Sequence, residues 1–254
     1  MLAKIKILII ILLPLFTNQA LFADEFDSIY PDFILSLNLG RFLPLNNKDF
    51  TNEIGGEYFD STLDFKDDMS FGGNLKFVIK KRFFIEAGGD FSYVKGYLSG
   101  DILDDDLAGG YESKLQFEKT TLFMNLGILP FSWGRLFPYL SIGPTWSLVT
   151  SKKGNIDADF YPRNADIDKI TKVNLIVKAA KLKKKIEEND ISGTSDNAFG
   201  YNLTVGMNFF IDNNSFIDIG IRYTHDKVKL WESETFKTGG FNIFIGAGFS
   251  LNFD

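Results

Sequence analysis

Apolar and non-apolar residues alternate with a period of two in about eight segments of the chain. In residues 240–253 every second residue from Phe241 onward is apolar, and most positions between are glycine, serine or asparagine. Residues 199–209 repeat this pattern. A period of two is typical of β-strands, and one apolar face beside one small or polar face fits a wall between lipid and a polar interior. The pattern predicts an all-β protein.

The connections between these predicted strands alternate in length. The long connections are residues 44–70, 94–119, 149–197 and 226–239. The short connections are residues 80–83, 130–137 and 211–215. Membrane barrels pair short periplasmic turns with long outer loops. We therefore expect an eight-stranded antiparallel up-and-down transmembrane β-barrel with long extracellular loops and with both chain ends on the periplasmic side.

The first residues have the order of a signal peptide. Lys4 and Lys6 precede an apolar run at residues 7–16, and Ala23 ends the segment before the first acidic residues. This apolar run is too short to span a bilayer. We expect residues 1–23 to be a cleaved signal peptide and residues 24–254 to form an outer-membrane barrel domain.

Composition excludes several other classes of protein. No later segment is apolar over the roughly 20 residues that a membrane helix needs, so only a closed barrel remains as a spanning structure. The chain has no cysteine, which excludes disulfides and thiolate sites. Removing Lys4 and Lys6 leaves 25 basic and 33 acidic residues, a net charge of −8, which disfavours nucleic acid as a partner.

One strand resembles a known family. The sequence PYLSIGP at residues 138–144 is similar to a strand of small outer-membrane β-barrel domains, the group that includes OmpA-type barrels and short "porin family" proteins. The resemblance implies a place in the cell outer membrane, among its lipids and lipopolysaccharide. It also implies insertion by the β-barrel assembly machinery, which recognises a terminal aromatic residue. Here Phe253 matches that assembly signal, although Asp254 follows it.

Charged residues of both signs fall on the predicted interior face. An eight-stranded barrel has an interior just wide enough for side chains to fill, so we expect opposite charges to pair there and to plug the barrel. The alternative is a narrow gated conduit lined by the same residues. The predicted interior charges are Lys76, Lys80, Glu86, Asp90, Asp218 and Arg222.

The chain contains a single histidine, His225. Residues 222–225 resemble the Arg-Tyr-x-His stretch of outer-membrane lipid A deacylases. That family continues into a Ser-Asn pair, whereas this chain has Asp226 and Lys227, so the serine nucleophile is missing. We expect an ordinary histidine at the barrel rim and no enzymatic activity. We also expect no cofactor and no metal, since no phosphate-binding loop or ligand cluster is present.

The largest connection contains a predicted helix around residues 170–188. Its apolar residues at helical spacing are Ile170, Val173, Val177 and Ala180, and a run of lysines follows them. Such a helix could lie on the headgroups with its lysines on lipopolysaccharide phosphates, or cap the barrel mouth. A mobile, partly helical loop is the remaining alternative. The acidic segments at residues 60–68 and 101–106 match no calcium loop, and we expect a solvated surface there.

The sequence favours a non-enzymatic role in envelope structure or in surface interaction, with a possible extracellular ligand met by the loops. The alternative function is a narrow channel, and a lipid A-modifying enzyme comes third. A soluble lipocalin-like barrel would also alternate, but it would bury its apolar face inside. Aromatics near the strand ends are predicted to form interfacial girdles. They are Phe42, Tyr93, Phe131, Trp133, Phe137 and Trp231.

Overall fold

The computed structural model of the protein describes residues 31–45, 48–54, 56–80, 82–152, 156–163, 169–188, 195–231 and 234–251. Its elements are β1 (Phe33–Pro44), β2 (Lys48–Ile54), β3 (Glu57–Lys66), β4 (Asp68–Ile79), β5 (Phe83–Ile102), β6 (Leu107–Ile128), β7 (Leu136–Lys152), β8 (Ile156–Pro162), α1 (Lys169–Glu188), β9 (Ser195–Phe210), β10 (Ser215–His225), β11 (Lys227–Trp231), β12 (Glu234–Lys237) and β13 (Gly240–Leu251). The predicted signal peptide and the predicted assembly signal, Phe253, lie outside the described residues.

Eight strands form a closed antiparallel ring. Their order is β1, β4, β5, β6, β7, β9, β10 and β13. The ring closes where β13 pairs with β1, from Phe33 opposite Leu251 to Pro44 opposite Gly240. Closure pairs the backbone groups that an open sheet would leave free at its edges. The predicted eight-stranded antiparallel barrel is confirmed.

The long connections contain further strands where the sequence predicted loops. β2 and β3 form a hairpin, and β3 pairs with residues 95–102 of β5. β8 pairs with residues 107–113 of β6. We call β2, β3, residues 95–102 of β5, residues 107–116 of β6 and β8 the outer sheet. It extends the barrel wall because the alternation of apolar residues continues along both long strands, as at Leu98 and Leu115.

The outward face of the ring is an apolar band. Leu37, Leu126 and Phe249 are 71%, 68% and 64% exposed, whereas the inward neighbours Ser36 and Asn125 are buried. Water would not favour so large an apolar surface, but lipid matches it. The barrel therefore spans a membrane, and the lipocalin-like alternative is wrong. Among the described residues, no helix is long and apolar enough to cross a bilayer.

The barrel interior is layered. Apolar side chains fill the end with the short turns, which we call the lower seal, and its residues are Ile34, Val78, Phe84, Leu129, Phe137, Tyr139, Phe210 and Phe216. Polar residues fill the middle, and a second apolar cluster begins near the long connections. Phe42 and Phe137, predicted as girdle aromatics, are buried inside because their strand parity turns them inward.

Candidate functional site

Arg222 of β10 lies at the centre of the barrel interior. Its side chain is fully buried and forms ion pairs with Asp90 and, at 3.7 Å, with Glu86 Oε1. Its Nε donates a hydrogen bond to Thr204 Oγ1 at 3.1 Å, and its guanidinium carbon lies 3.8 Å from the Phe123 ring centroid. These partners belong to β5, β9 and β6, so one side chain ties three other strands to β10.

Glu86 extends this network to β6 and β7. Its Oε2 accepts hydrogen bonds from Asn125 Nδ2 and Ser141 Oγ, both at 2.8 Å. Asn125 and Asn202 exchange amide hydrogen bonds of 3.0 and 2.8 Å. Charge-assisted hydrogen bonds of this kind are stronger than neutral ones. The Glu86 carboxylate is therefore held between β5, β6 and β7.

A second charged layer joins Lys76 and Asp218. Both side chains are buried, and Lys76 Nζ lies 3.6 Å from Asp218 Oδ2. The same nitrogen lies 3.4 Å from the centroid of the Tyr139 ring, a cation–π distance. Tyr139 donates its hydroxyl proton to Asp218 Oδ1 at 2.9 Å. The cation thus has both a carboxylate and an aromatic face as partners.

A third charged pair, Lys119 with Asp226, was not among the predicted interior charges. Lys119 Nζ lies 2.9 Å from Asp226 Oδ2 and donates to the Thr238 carbonyl oxygen at 2.8 Å. Ser147 Oγ donates to Asp226 at 2.7 Å. The sequence pattern predicts both charged residues in long connections. The available signal was parity, since Lys119 continues the inward series of Thr121 on β6.

Apolar side chains close the interior above this pair. The rings of Phe65 and Phe117 meet edge to face at 5.4 Å, and the Phe42 ring centroid lies 5.0 Å from Lys119 Nζ. We call Phe42, Phe65, Val94, Phe117 and Val149 the upper seal. With the lower seal at the opposite end, the charged layers are enclosed between two apolar layers. Ions would have to cross both layers, which is unfavourable.

Several buried amides make no hydrogen bond to the described part of the chain. Both side-chain polar atoms of Asn38 and of Asn208 are in this position, as is Asn74 Nδ2. Buried polar groups of this kind are usually satisfied by internal water. The polar middle of the barrel therefore suits hydration, whereas the two seals do not.

The predicted interior charges are not all inside. Lys76, Glu86, Asp218 and Arg222 are buried in the interior, and Asp90 is partly buried against Arg222. The prediction was wrong for Lys80, which is exposed. β4 ends at Ile79, and Lys80 occupies the following turn with φ 51°, so strand parity no longer sets its direction.

His225 lies on the outward side of β10. Its ring centroid is 5.1 Å from that of Tyr201, and its Nδ1 lies 3.4 Å from the Tyr223 hydroxyl. Phe241 continues this group, 5.3 Å from Tyr223. The arrangement resembles an interfacial aromatic girdle.

Helix α1 packs on the outer sheet by the face opposite to the one predicted. Its buried residues are Ala179, Leu182 and Ile186, with Leu175 partly buried. The predicted apolar face is exposed, and Ile170 and Val173 are 76% and 59% accessible. The spacing of residues 175, 179, 182 and 186 is equally helical, so the sequence contained two apolar stripes. Tertiary contact with β8 selected the second.

An ion pair fixes the position of α1. Lys178 Nζ lies 3.0 Å from Glu57 Oε1 and donates to Asp104 Oδ2 at 2.5 Å. Burial raises the pKa of Asp104, but the Lys178 ammonium and the backbone N–H groups of Asp106 and Leu107 together lower it below its usual value. The same contacts raise the pKa of Lys178. The pair therefore holds α1 at the tip of the β5–β6 hairpin.

Acidic residues of the outer sheet line an open cavity of about 580 Å³, with Asp101, Glu112, Asp157 and Asp159 in its wall. Within the described ranges, no group of three or more histidine, cysteine or acidic side chains could hold a metal ion. In the 101–106 segment Asp104 Oδ1 instead accepts the N–H groups of Asp106 and Leu107. That carboxylate stabilises a turn.

No protein-family profile matches the chain, and no curated protein matches it. Among solved structures, OprG of Pseudomonas aeruginosa is 11% identical, with 89% of this chain and 98% of that chain covered and a TM-score of 0.49. The attachment invasion locus protein Ail of Yersinia pestis, solved with the heparin analogue sucrose octasulfate, is 10% identical over 86% and 98%, with a TM-score of 0.37. Neisserial surface protein A is 10% identical over 86% and 96%, with a TM-score of 0.39. Such values assign no function, and the fold described above rests on strand pairing.

Proposed function

We propose that this protein is a closed outer-membrane barrel that holds a folded platform, the outer sheet with α1, at the cell surface for interaction. The supporting observation is the interior itself, in which charged layers lie between two apolar seals. A barrel filled in this way suits an anchor better than a pore. Outer-membrane barrels carry their longer connections outside the cell, and this general rule supports an extracellular platform.

The platform has the features of a folded unit. Its interior contains Phe59, Leu63, Leu107 and Tyr111, all buried, with edge-to-face contact between the Phe59 and Tyr111 rings at 5.3 Å. An apolar interior gives the extracellular part a stable shape, as a recognition surface requires. The partner is an extracellular ligand. The β-barrel assembly machinery and outer-membrane lipids with lipopolysaccharide are the further partners that this location implies.

We also propose that the protein is not an enzyme. His225 stacks beside Tyr201 on the outward face, and its neighbour Asp226 is paired with Lys119 inside the barrel. A hydrolytic histidine needs a nucleophile within hydrogen-bond reach. The contact at Tyr223 fits an interfacial role better.

A narrow channel is the second candidate, and the buried amides of Asn38 and Asn208 favour it because they suit a hydrated interior. Single-channel recording in a planar bilayer distinguishes the two functions. We expect the refolded chain to show no conductance above the lipid baseline. Discrete openings from a barrel that migrates as folded in a heat-modifiability gel would contradict the closed barrel.

Two matched pairs of variants test whether the seals block conductance. Phe84→Ser with Phe117→Ser weakens both seals, and we expect conductance to rise above the baseline. Phe71→Ser with Phe91→Ser changes two outward-facing rings that meet at 5.0 Å and should stay silent. Equal behaviour of the two pairs would show that the seals do not control the path.

A further inference from the structure

The outward side of α1 is apolar although it faces water. Ile170, Val173, Ile176 and Val177 are 76%, 59%, 51% and 46% exposed. They follow helical spacing, opposite to the residues that pack on the outer sheet. A contiguous apolar stripe on an otherwise folded surface usually marks an interaction site. We call these four residues the outer stripe.

Lysines surround the outer stripe. The 20 residues of α1 contain seven lysines and two glutamates, a net charge of +5, in a chain whose net charge is −6. Lys169, Lys172, Lys181 and Lys184 are exposed beside the stripe. A helix that combines an apolar stripe with flanking lysines is typical of binding to an anionic lipid surface.

The helix is too far from its own bilayer to lie on it. Lys178 contacts Asp104 at the tip of the β5–β6 hairpin, while the outward apolar band on β5 ends at Tyr93. The eight residue-to-residue steps from Tyr93 to Asp101 extend about 27 Å along the strand, or about 20 Å along the membrane normal at the usual barrel tilt. The middle of α1, at Lys178, is therefore held well beyond the outward apolar band of the barrel.

We propose that the outer stripe and its lysines dock on the surface of an apposed bilayer that carries anionic lipid. The inference rests on the proposed function, since it names the partner of the extracellular platform. Apolar side chains would enter the headgroup region while the lysines meet lipid phosphates. Charge complementarity favours this occupant, because the helix is basic on an acidic protein.

Other occupants fit less well. Protein interfaces are enriched in Trp, Tyr and Arg and depleted in lysine, whereas α1 has no Trp, Tyr or Arg and seven lysines. A second copy of the helix would bring lysines against lysines, which is repulsive. A lipid surface needs no shape complementarity, and it can accept both the outer stripe and the lysines beside it.

A single label tests the proposal, because the chain has no cysteine of its own. Val173→Cys, labelled with an environment-sensitive fluorophore, is placed in nanodiscs of zwitterionic lipid and mixed with vesicles containing phosphatidylglycerol. We expect a blue shift that is absent with phosphatidylcholine vesicles and is reversed by high salt. Tyr58→Cys, 56% exposed on the β2–β3 hairpin, is the control and should not shift.

A second pair of variants tests the chemistry in the label-free protein. Ile170→Ser with Val177→Ser should weaken co-flotation with anionic vesicles at least about tenfold, since two aliphatic side chains that would enter the headgroup region are lost. Leu103→Ser, 57% exposed near the hairpin tip, should leave it unchanged. Because these side chains are exposed, the barrel should still fold.

Each contrary result overturns the proposal in a distinct way. An unshifted label, or an equal shift at Tyr58→Cys, removes specific docking. A shift without vesicles that grows with protein concentration assigns the stripe to a second copy. A shift in anionic nanodiscs alone assigns it to the protein's own bilayer. Failure of the closed barrel would appear separately, as conductance in the planar bilayer.

Discussion

At the scale of single residues, Arg222 joins several strands in the barrel interior. Its ion pairs with Glu86 and Asp90 are buried, and it also contacts Thr204 and the Phe123 ring. Removing one partner of a buried ion pair leaves the other charge without compensation. The arrangement therefore makes the barrel interior sensitive to a single substitution.

Arg222→Ala should lower the free energy of unfolding by about 3–5 kcal/mol, because two carboxylates are left in the interior without their cation. Urea unfolding in lipid vesicles, followed by the heat-modifiable gel shift, measures this change. Lys80→Ala is the control, and its exposed turn position predicts an effect within about 0.5 kcal/mol. Similar values for the two variants would mean that Arg222 is not part of the stabilising network.

At the scale of elements, α1 shows how tertiary contact decides between two apolar stripes. Leu182 and Ile186 are buried against the outer sheet, whereas Ile170 is mostly exposed. The contact of Lys178 with Asp104, 74 residues away in sequence, also stabilises this arrangement. An isolated helix could present either side.

Acid should release α1 before the barrel unfolds. The pKa of Asp104 is lowered in the folded protein, so the pair stabilises the docked helix above the unfolded pKa, about 3.9, and this contribution is lost as the pH falls through the lower folded value. Hydrogen exchange of α1, corrected for intrinsic rates, should lose protection below about pH 4. Lys178→Met should reduce protection at neutral pH and weaken the acid dependence, because Asp104 then keeps only the backbone N–H groups of Asp106 and Leu107. A parent protein with flat protection down to pH 3 would contradict this role.

At the scale of the whole molecule, the long strands β5 and β6 run from the lipid-facing part of the barrel into the water-exposed outer sheet. The outward residues of β6 include Met124 and Leu126 in the apolar band, and Lys114 and Gln116 in the outer sheet. The same alternation thus serves lipid at one end and water at the other. The boundary between the two lies where the outward residues become polar.

This boundary predicts the effect of added charge. Met124→Arg should cost about 2–4 kcal/mol of folding free energy in vesicles, because its side chain faces the lipid. Gln116→Arg, on the same strand and face but in the outer sheet, should have an effect within about 0.5 kcal/mol. Unfolding titrations in vesicles compare the two variants. Equal costs would place the boundary elsewhere.

Part of the interior was accessible from the sequence. The faces of Lys76, Glu86, Asp218 and Arg222 followed from parity, because side chains alternate strictly along a strand. Lys119 was missed because the strand was predicted to begin just after it. The two seals were not predicted. Strand parity shows that a residue such as Phe84 faces inward, but it does not separate an apolar layer from a charged one.

The sequence by itself determined the barrel and the direction of its strand residues, because a period of two is a local property of extended backbone. Only the tertiary structure decided the partners inside the barrel, the folded outer sheet and the exposed side of α1. These depend on which distant strands meet across the ring, as Arg222 meets Asp90 across 132 residues. The alternation of side chains along one strand contains no information about which distant residues meet inside the barrel.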